Sequence, residues 1–240
     1  MKQALIVWGG WDGHEPDKVA ARFSVLLREL GVNARISDSL DAFADAEYLK
    51  SLHLICPIWT GGDLSGEYCR NVSEAVASGV GMAGNHGGMC DAFRNNTEWQ
   101  FITGGNWVSH PGGIIDYTVN IRRVITDEVT AGLEDFPVTS EQYYLHVDPA
   151  VKVLATTRFP VATYYHIDNG TVDMPVIWKK RWGNGRVFYN SLGHTDEVFE
   201  KSPNAQVMMK RGMQWAIEGK DEVLRNGLTT DRFYSDRKNY

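Results

Sequence analysis

The sequence predicts a doubly wound α/β fold, a mostly parallel sheet with helices on both faces and antiparallel strands added to it. Three observations predict it. Over residues 1–91, short apolar runs alternate with stretches of helical spacing, the rhythm of strand–helix–strand units. Those runs are continuously apolar instead of alternating, as strands buried on both faces are. Past residue 91 the rhythm changes, and residues 114–121 alternate at period two, as an antiparallel or edge strand does.

The elements follow in order. Residues 4–8 read as a buried strand that runs into the Gly-rich loop Gly9-Gly10-Trp11-Asp12-Gly13-His14. From Pro16, the positions Val19, Ala20, Phe23, Leu26, Leu27 and Leu30 have helical spacing, and Gly31 suits the residue just past the helix end. Residues 32–36 and 52–58 are the next two strands, which places His53 inside the second of them. Tyr68, Val72, Ala75 and Val76 mark a helix that stops at Gly79, and residues 80–83 form the fourth strand. Residues 99–111 are aromatic, Gly-containing and irregular. Residues 151–157 and 175–178 read as strands, and residues 186–191 as a clear one after the turn Gly183-Asn184-Gly185. A last amphipathic helix carries Ala205, Val207, Met208, Met209, Met213, Trp215, Ala216 and Ile217. Residues 1–219 therefore form one α/β domain, and the polar residues 220–240 read as a tail or strapped-down arm.

Composition narrows the function classes. The 240 residues carry 24 basic and 30 acidic side chains, a net charge of −6, without long runs of either sign. That balance argues against nucleic acid or an acidic membrane as partner, since both favour a basic patch. No apolar run approaches the roughly 20 residues of a membrane span, and the first apolar run is too short for a signal-peptide core. Three cysteines, Cys56, Cys69 and Cys90, form no CxxC pair. Free thiols in a reducing cytoplasm are the expectation.

The chemistry concentrates at Gly84-Asn85-His86-Gly87-Gly88, where the fourth strand stops. Small residues around one reactive side chain, between a strand and a helix, are the pattern of a nucleophile elbow, which presents that side chain at the mouth of a cleft. Here the side chain is an imidazole. The overlapping Gly79-x-Gly81-x-x-Gly84 matches a dinucleotide fingerprint in letters only, because it contains the strand instead of following it, so no nucleotide is expected. His14 and His194 also follow strands, and in doubly wound sheets ligands bind beyond the strand carboxyl ends, so His14, His86 and His194 can share one crevice. Glu141, ahead of Tyr143-Tyr144, is the best carboxylate to join them, although on sequence logic alone a surface loop suits it better. His110 is a further candidate, while His53 and His166 read as structural. Cys90 falls one turn past the elbow apex, off the position of a nucleophile. Trp8, Trp11, Trp59 and Trp107 lie at strand ends or in loops, where indole faces suit either loop packing or the apolar faces of sugars.

The elbow, the run Val138-Thr139-Ser140-Glu141-Gln142-Tyr143-Tyr144, and Pro175-Val176-x-Trp178 followed by Gly185-Arg186-Val187-Phe188-Tyr189-Asn190-Ser191-Leu192-Gly193-His194 together resemble the ThuA-like (trehalose-utilisation) family. The resemblance extends from the first strand to about Gly219. It implies membership of the class I glutamine amidotransferase-like superfamily and a flavodoxin-like sheet. In that superfamily the elbow holds a cysteine paired with a His-x-Glu after a late strand. Here His86 replaces the cysteine, while His194 and Asp196 fall where the His and Glu would be, so thioester chemistry on glutamine is not expected. Where the family reads His-Pro-Ile-Thr ahead of its Gly-Leu, this chain has Asp127-Glu128-Val129-Thr130, and Ser140 replaces the first of two acidic residues before the tyrosine.

Two classes of function follow. The first is a cytoplasmic, sugar-directed enzyme (hydrolase, isomerase or lyase) acting on a disaccharide or an oxidised sugar derivative. His86, His194 and Glu141 would be catalytic, and Trp11, Trp59, Trp107, His110 and Tyr143 would contact the sugar. In one version His86, His194, Glu141 and His14 hold a divalent metal, zinc or manganese. In the other, His86 and His194 work without metal as an acid–base pair. The second class is a non-catalytic sugar-binding or regulatory protein that kept the fold and lost the nucleophile. Homo-oligomerisation stays open in both.

Overall fold

A computed structural model describes residues 1–160 and 164–234. In chain order the elements are β1 (Lys2–Gly10), α1 (Pro16–Glu29), β2 (Val32–Ser37), α2 (Ala46–Ser51), β3 (Leu54–Thr60), α3 (Gly66–Ala77), β4 (Gly81–Asn85), α4 (Gly87–Cys90), α5 (Thr97–Thr103), β5 (Gly105–Ser109), β6 (Ile114–Ile121), β7 (Phe136–Glu141), β8 (Tyr144–Val147), β9 (Lys152–Phe159), β10 (Val172–Trp182), β11 (Gly185–Asn190), α6 (Asp196–Lys201) and α7 (Pro203–Asn226). Nine strands make one sheet in the order β2-β1-β3-β4-β11-β10-β9-β6-β7, and β5 pairs with β8 in a separate ribbon.

The sheet has two halves. Pairing from β2 across β1, β3 and β4 to β11 is parallel. From β11 through β10, β9 and β6 to β7 it is antiparallel. Successive residues of β1 divide between two cores, as the strand period requires. Ala4 and Ile6 face a core closed by α1 and α7, with Phe23, Leu27, Met209 and Met213. Leu5 and Val7 face the other, with Val72, Val76, Trp99 and Trp178. This is the doubly wound arrangement that the continuous apolar strands predict, and it is the flavodoxin-like sheet that the resemblance implies.

The antiparallel half matters because it brings in Glu141. Five strand spacings separate β4 from β7, roughly 24 Å if the sheet were flat. Glu141 at the end of β7 nevertheless touches His86 at the end of β4, so this half curls back over the strand ends. Register shifts between β10 and β9 at Pro175–Ile177 and Ile177–Trp178 supply irregularity of the kind that bends a strand.

Several expectations need correction. Residues 99–111 are not irregular: Asn96 caps α5 by accepting from the Trp99 N–H, Gly104 ends it at φ +81°, and β5 follows. Glu141 closes a strand instead of lying in a loop. His53 stands one residue before β3, outside it. The last helix runs past Gly219 to Asn226, with Lys220 and Val223 buried, so residues 220–226 are helical and not a tail. Residues 235–240 of that expected arm lie outside the described residues. Among the described residues no helix is long and apolar enough to cross a membrane.

Candidate metal centre

The elbow forms as its sequence requires. His86 sits between β4 and α4 with φ 44° and ψ −132°, a left-handed conformation that a non-glycine residue adopts at a cost of order 1–3 kcal/mol. Around it the chain is fixed by His86 N–H donating to Asn190 O (2.7 Å) and by the Tyr189 hydroxyl donating to His86 O (3.0 Å). The two glycines after it are needed for space. A Cβ on Gly87 would stand 2.5–2.8 Å from the His14 ring and Thr60 Oγ1, and one on Gly88 2.7 Å from the Ile58 backbone.

The imidazole, however, is not displayed at the mouth of an open cleft. His86 is 1% exposed, enclosed by the rings of His14, His194 and Tyr143. Tyr143 stacks on it with centroids 3.9 Å apart. His86 is therefore the floor of the site, and His194 and His110, partly exposed, lie nearer its opening.

His14, His86, Glu141 and His194 converge. One nitrogen or carboxylate oxygen from each lies within 4.8 Å of all the others. Glu141 Oε2 is the hub, 3.0 Å from His86 Nε2, 3.2 Å from His194 Nδ1 and 3.7 Å from His14 Nε2. Its other oxygen lies 3.5 Å from His110 Nε2. Four donors around a tetrahedral ion with bonds of about 2.0–2.1 Å stand about 3.3–3.4 Å apart, a spacing these separations bracket.

The far nitrogens are also committed. His86 Nδ1 lies 2.8 Å from Ser191 O, which can only accept, so Nδ1 carries the proton. In the neutral ring Nε2 then turns a lone pair towards the Glu141 carboxylate, two acceptors face to face. Burial pushes the His86 pKa down to about 4, despite the raising effect of Glu141, so a proton does not relieve this contact at neutral pH. Burial opposes the charge of Glu141 too, but the imidazoles of His14 and His194 beside it outweigh that and hold the carboxyl well below the usual carboxylate range. His14 Nδ1 meets Thr60 Oγ1 at 2.7 Å, leaving Nε2 to face the hub. His194 Nδ1 is buried with no hydrogen-bond partner, despite its short distance to Glu141. An anionic oxygen, oriented imidazole lone pairs and an orphaned nitrogen form a donor set that could hold a metal, and a His/carboxylate set of this kind suits zinc or another first-row ion.

The remaining expected residues divide. Trp11 borders the cluster, its ring 4.7 Å from His14 and 6.4 Å from His194. Trp107 stands 5.4 Å from His110 and 6.3 Å from Tyr143, under the Arg94 guanidinium. Trp59 packs instead beside Gly9 and Gly62, and Trp8 against the α1–α7 core. Asp196, expected from the resemblance to stand in for a glutamate, is paired instead with Arg22 at 2.5 and 2.7 Å. Cys90 is 1% exposed and burial pushes its thiol well up, which suits no nucleophile. Thr60 and the Ser191 carbonyl carry no sequence signal for their role, which appears only when their strand ends meet the histidines.

The fold and the site define a flavodoxin-like α/β protein that carries a histidine–carboxylate cluster at the carboxyl ends of its strands. The model of the trehalose-utilisation (ThuA) family matches residues 3–216, and the chain belongs to that family. Similar solved structures include ThuA-like proteins from Bacteroides uniformis (TM-score 0.71, 18% identity, 90% of this chain and 91% of that one) and Parabacteroides merdae (0.69, 21%, 91% and 91%). A cytoplasmic protein of Salmonella typhimurium follows at TM-score 0.60 and 12% identity, over 91% of this chain and 98% of that one. At these identities the likeness speaks for the fold. No curated protein matches the sequence.

Proposed function

We propose that His14, His86, Glu141 and His194 bind one divalent first-row ion, zinc or manganese, and that this centre belongs to a sugar-directed enzyme of the cytoplasm. The observation that carries the reading is the Glu141 hub: one carboxylate oxygen with three imidazole nitrogens 3.0–3.7 Å from it, buried, and with the far nitrogen of His86 tied to a carbonyl. Membership of the trehalose-utilisation family supports a sugar, a disaccharide or an oxidised derivative, as the substrate.

A bound ion would act as a Lewis acid on a carbonyl or hydroxyl oxygen. The chain's own residues define the rest. Tyr143 and Ser191 hold the floor imidazole in one orientation, while His110, outside the four donors and partly exposed, is placed to exchange a proton with a substrate oxygen. The metal-free version, with His86 as one half of an acid–base pair, is disfavoured by its 1% exposure: a substrate does not reach it.

The test is elemental analysis of the purified chain grown with zinc or manganese, beside His86→Ala and His194→Ala, then thermal-shift screening of sugars with and without metal. One equivalent of metal in the wild type and none in either variant is expected. Metal retained by both variants, or sugar turnover by a metal-free wild type, would overturn the reading.

A further inference from the structure

Arg94 stands beside the centre, and the metal reading leaves it unused. The backbone that carries it is pinned. Gly61 N–H donates to Asp91 O (2.9 Å) and Phe93 N–H to Gly61 O (3.2 Å), which ties residues 91–93 to the chain just past β3. Phe93 is buried, packs edge-on against Trp99 at 5.0 Å, and has φ 50°. A bulky residue keeps that left-handed conformation only where its surroundings impose it.

The guanidinium is fixed on two sides. Its Nε donates to the Asp91 carboxylate, and its central carbon lies 4.1 Å from the centroid of the Trp107 ring. An ion pair and a cation–π contact together set the position of the fork. Nη1 and Nη2 meet no acceptor among the described residues, and the side chain is 48% exposed. Arg22 shows the contrast, with Nε, Nη1 and Nη2 all spent on Asp196 and Gln206.

Trp107 joins Arg94 to the centre. Its ring also neighbours His110 and Tyr143, of which His110 reaches Glu141 Oε1 at 3.5 Å and Tyr143 stacks on His86. Trp107 Nε1 is buried with no hydrogen-bond partner, so the same wall holds a further donor in want of an acceptor. A ligand reaching from His110 to Arg94 crosses one indole and meets two preset donors. Two parallel donors on one cation match a carboxylate, whose oxygens accept them together. Charge points the same way. A divalent ion and Arg94 exceed Glu141 and Asp91 by one positive charge, which suits a monoanion better than a phosphate dianion.

We propose that Arg94 determines the specificity of the centre, taking the carboxylate of a small hydroxy or oxo acid through Nη1 and Nη2. The hydroxyl or carbonyl oxygen of that acid then faces the ion beside His110. This role rests on the metal reading of the four-residue cluster and not on the sugar assignment.

Calorimetry on the metal-loaded full chain tests it with lactate, gluconate and glucuronate, each beside its neutral counterpart propane-1,2-diol, glucitol or glucose, and with glucose 6-phosphate. Arg94→Met removes the cation. Arg94→Lys keeps a charge beside Asp91 without the fork. Metal content and melting temperature are measured for each variant, and metal content should match the wild type. At least one acid is expected to bind about tenfold or more tighter than its counterpart, a difference of about 1.4 kcal/mol. Arg94→Met should abolish that advantage and leave the neutral counterpart within about twofold, while Arg94→Lys should retain only a small part of it. Acid affinity that is equal in wild type and Arg94→Met would mean that the ion alone holds the carboxylate, and would overturn the proposal. So would the lack of any preferred acid, or a phosphorylated sugar that binds more tightly than every acid. A wild type without metal overturns the metal reading instead, and elemental analysis shows that before any acid is added, so the two failures are distinguishable.

Discussion

At the scale of single residues, Thr60 makes a sharper claim than any of the four ligands. It touches neither ion nor substrate; its hydroxyl, 2.7 Å from His14 Nδ1, fixes which nitrogen of His14 faces Glu141. Thr60→Val keeps the shape and removes the partner, so metal affinity should fall about 10–100-fold, with Thr60→Ser restoring most of it. Calorimetric titration of zinc checks this, and equal loss in both variants would mean that only packing was disturbed. Cys90 is the counterpart that should not matter. It is buried and un-ionised, so Cys90→Ser should leave metal and sugar binding within a few-fold, and iodoacetamide should label it only on unfolding. Loss of ligand binding in Cys90→Ser would restore the nucleophile reading.

At the scale of elements, the β4–α4 turn decides the geometry. Gly87→Ala would press a methyl group into the His14 ring and Thr60. Overpacking of this kind costs typically 1–3 kcal/mol. A lowered denaturation midpoint together with weakened metal binding is therefore expected, whereas Gly31→Ala, with open space around it, should carry only the strain of its left-handed φ. The elbow was legible in the sequence because turn chemistry is local: GNHGG after an apolar run admits few conformations. The parallel half was legible for the same reason, its strands being continuously apolar. Glu141 was not legible as a site residue from pattern alone. Its place depends on the antiparallel half curling through β10, β9 and β6, and the sum of such long-range pairings leaves no mark on the residues near Glu141. The α5–β5 segment was missed because its aromatic residues obscure period, and only the Asn96 cap and Gly104 stop define it.

At the scale of the molecule, the buried centre couples folding to pH. His86 has its pKa pushed down to about 4 in the folded chain, against about 6.5 unfolded. Above pH 6.5 it is neutral in both states and its contribution is fully present. As pH falls from 6.5 towards 4, the unfolded chain takes up the proton and the folded chain does not, so stability is lost. Glu141, also held low, adds loss in the same direction below the usual carboxylate pKa. The urea midpoint of metal-stripped protein should fall steadily from pH 7 to 4, and His86→Asn should flatten the upper part of that slope. A midpoint that is level or rises on acidification would contradict a neutral, buried His86. Each of these expectations rests on the same four side chains meeting in one place. Anomalous diffraction at the metal absorption edge, from crystals of the chain grown with zinc or manganese, tests that most directly. The expected result is a single peak about 2.0–2.2 Å from His14 Nε2, His86 Nε2, His194 Nδ1 and Glu141 Oε2 together. A map with no peak there, or with metal held elsewhere while His86 Nε2 and Glu141 Oε2 remain in direct contact, would contradict the account.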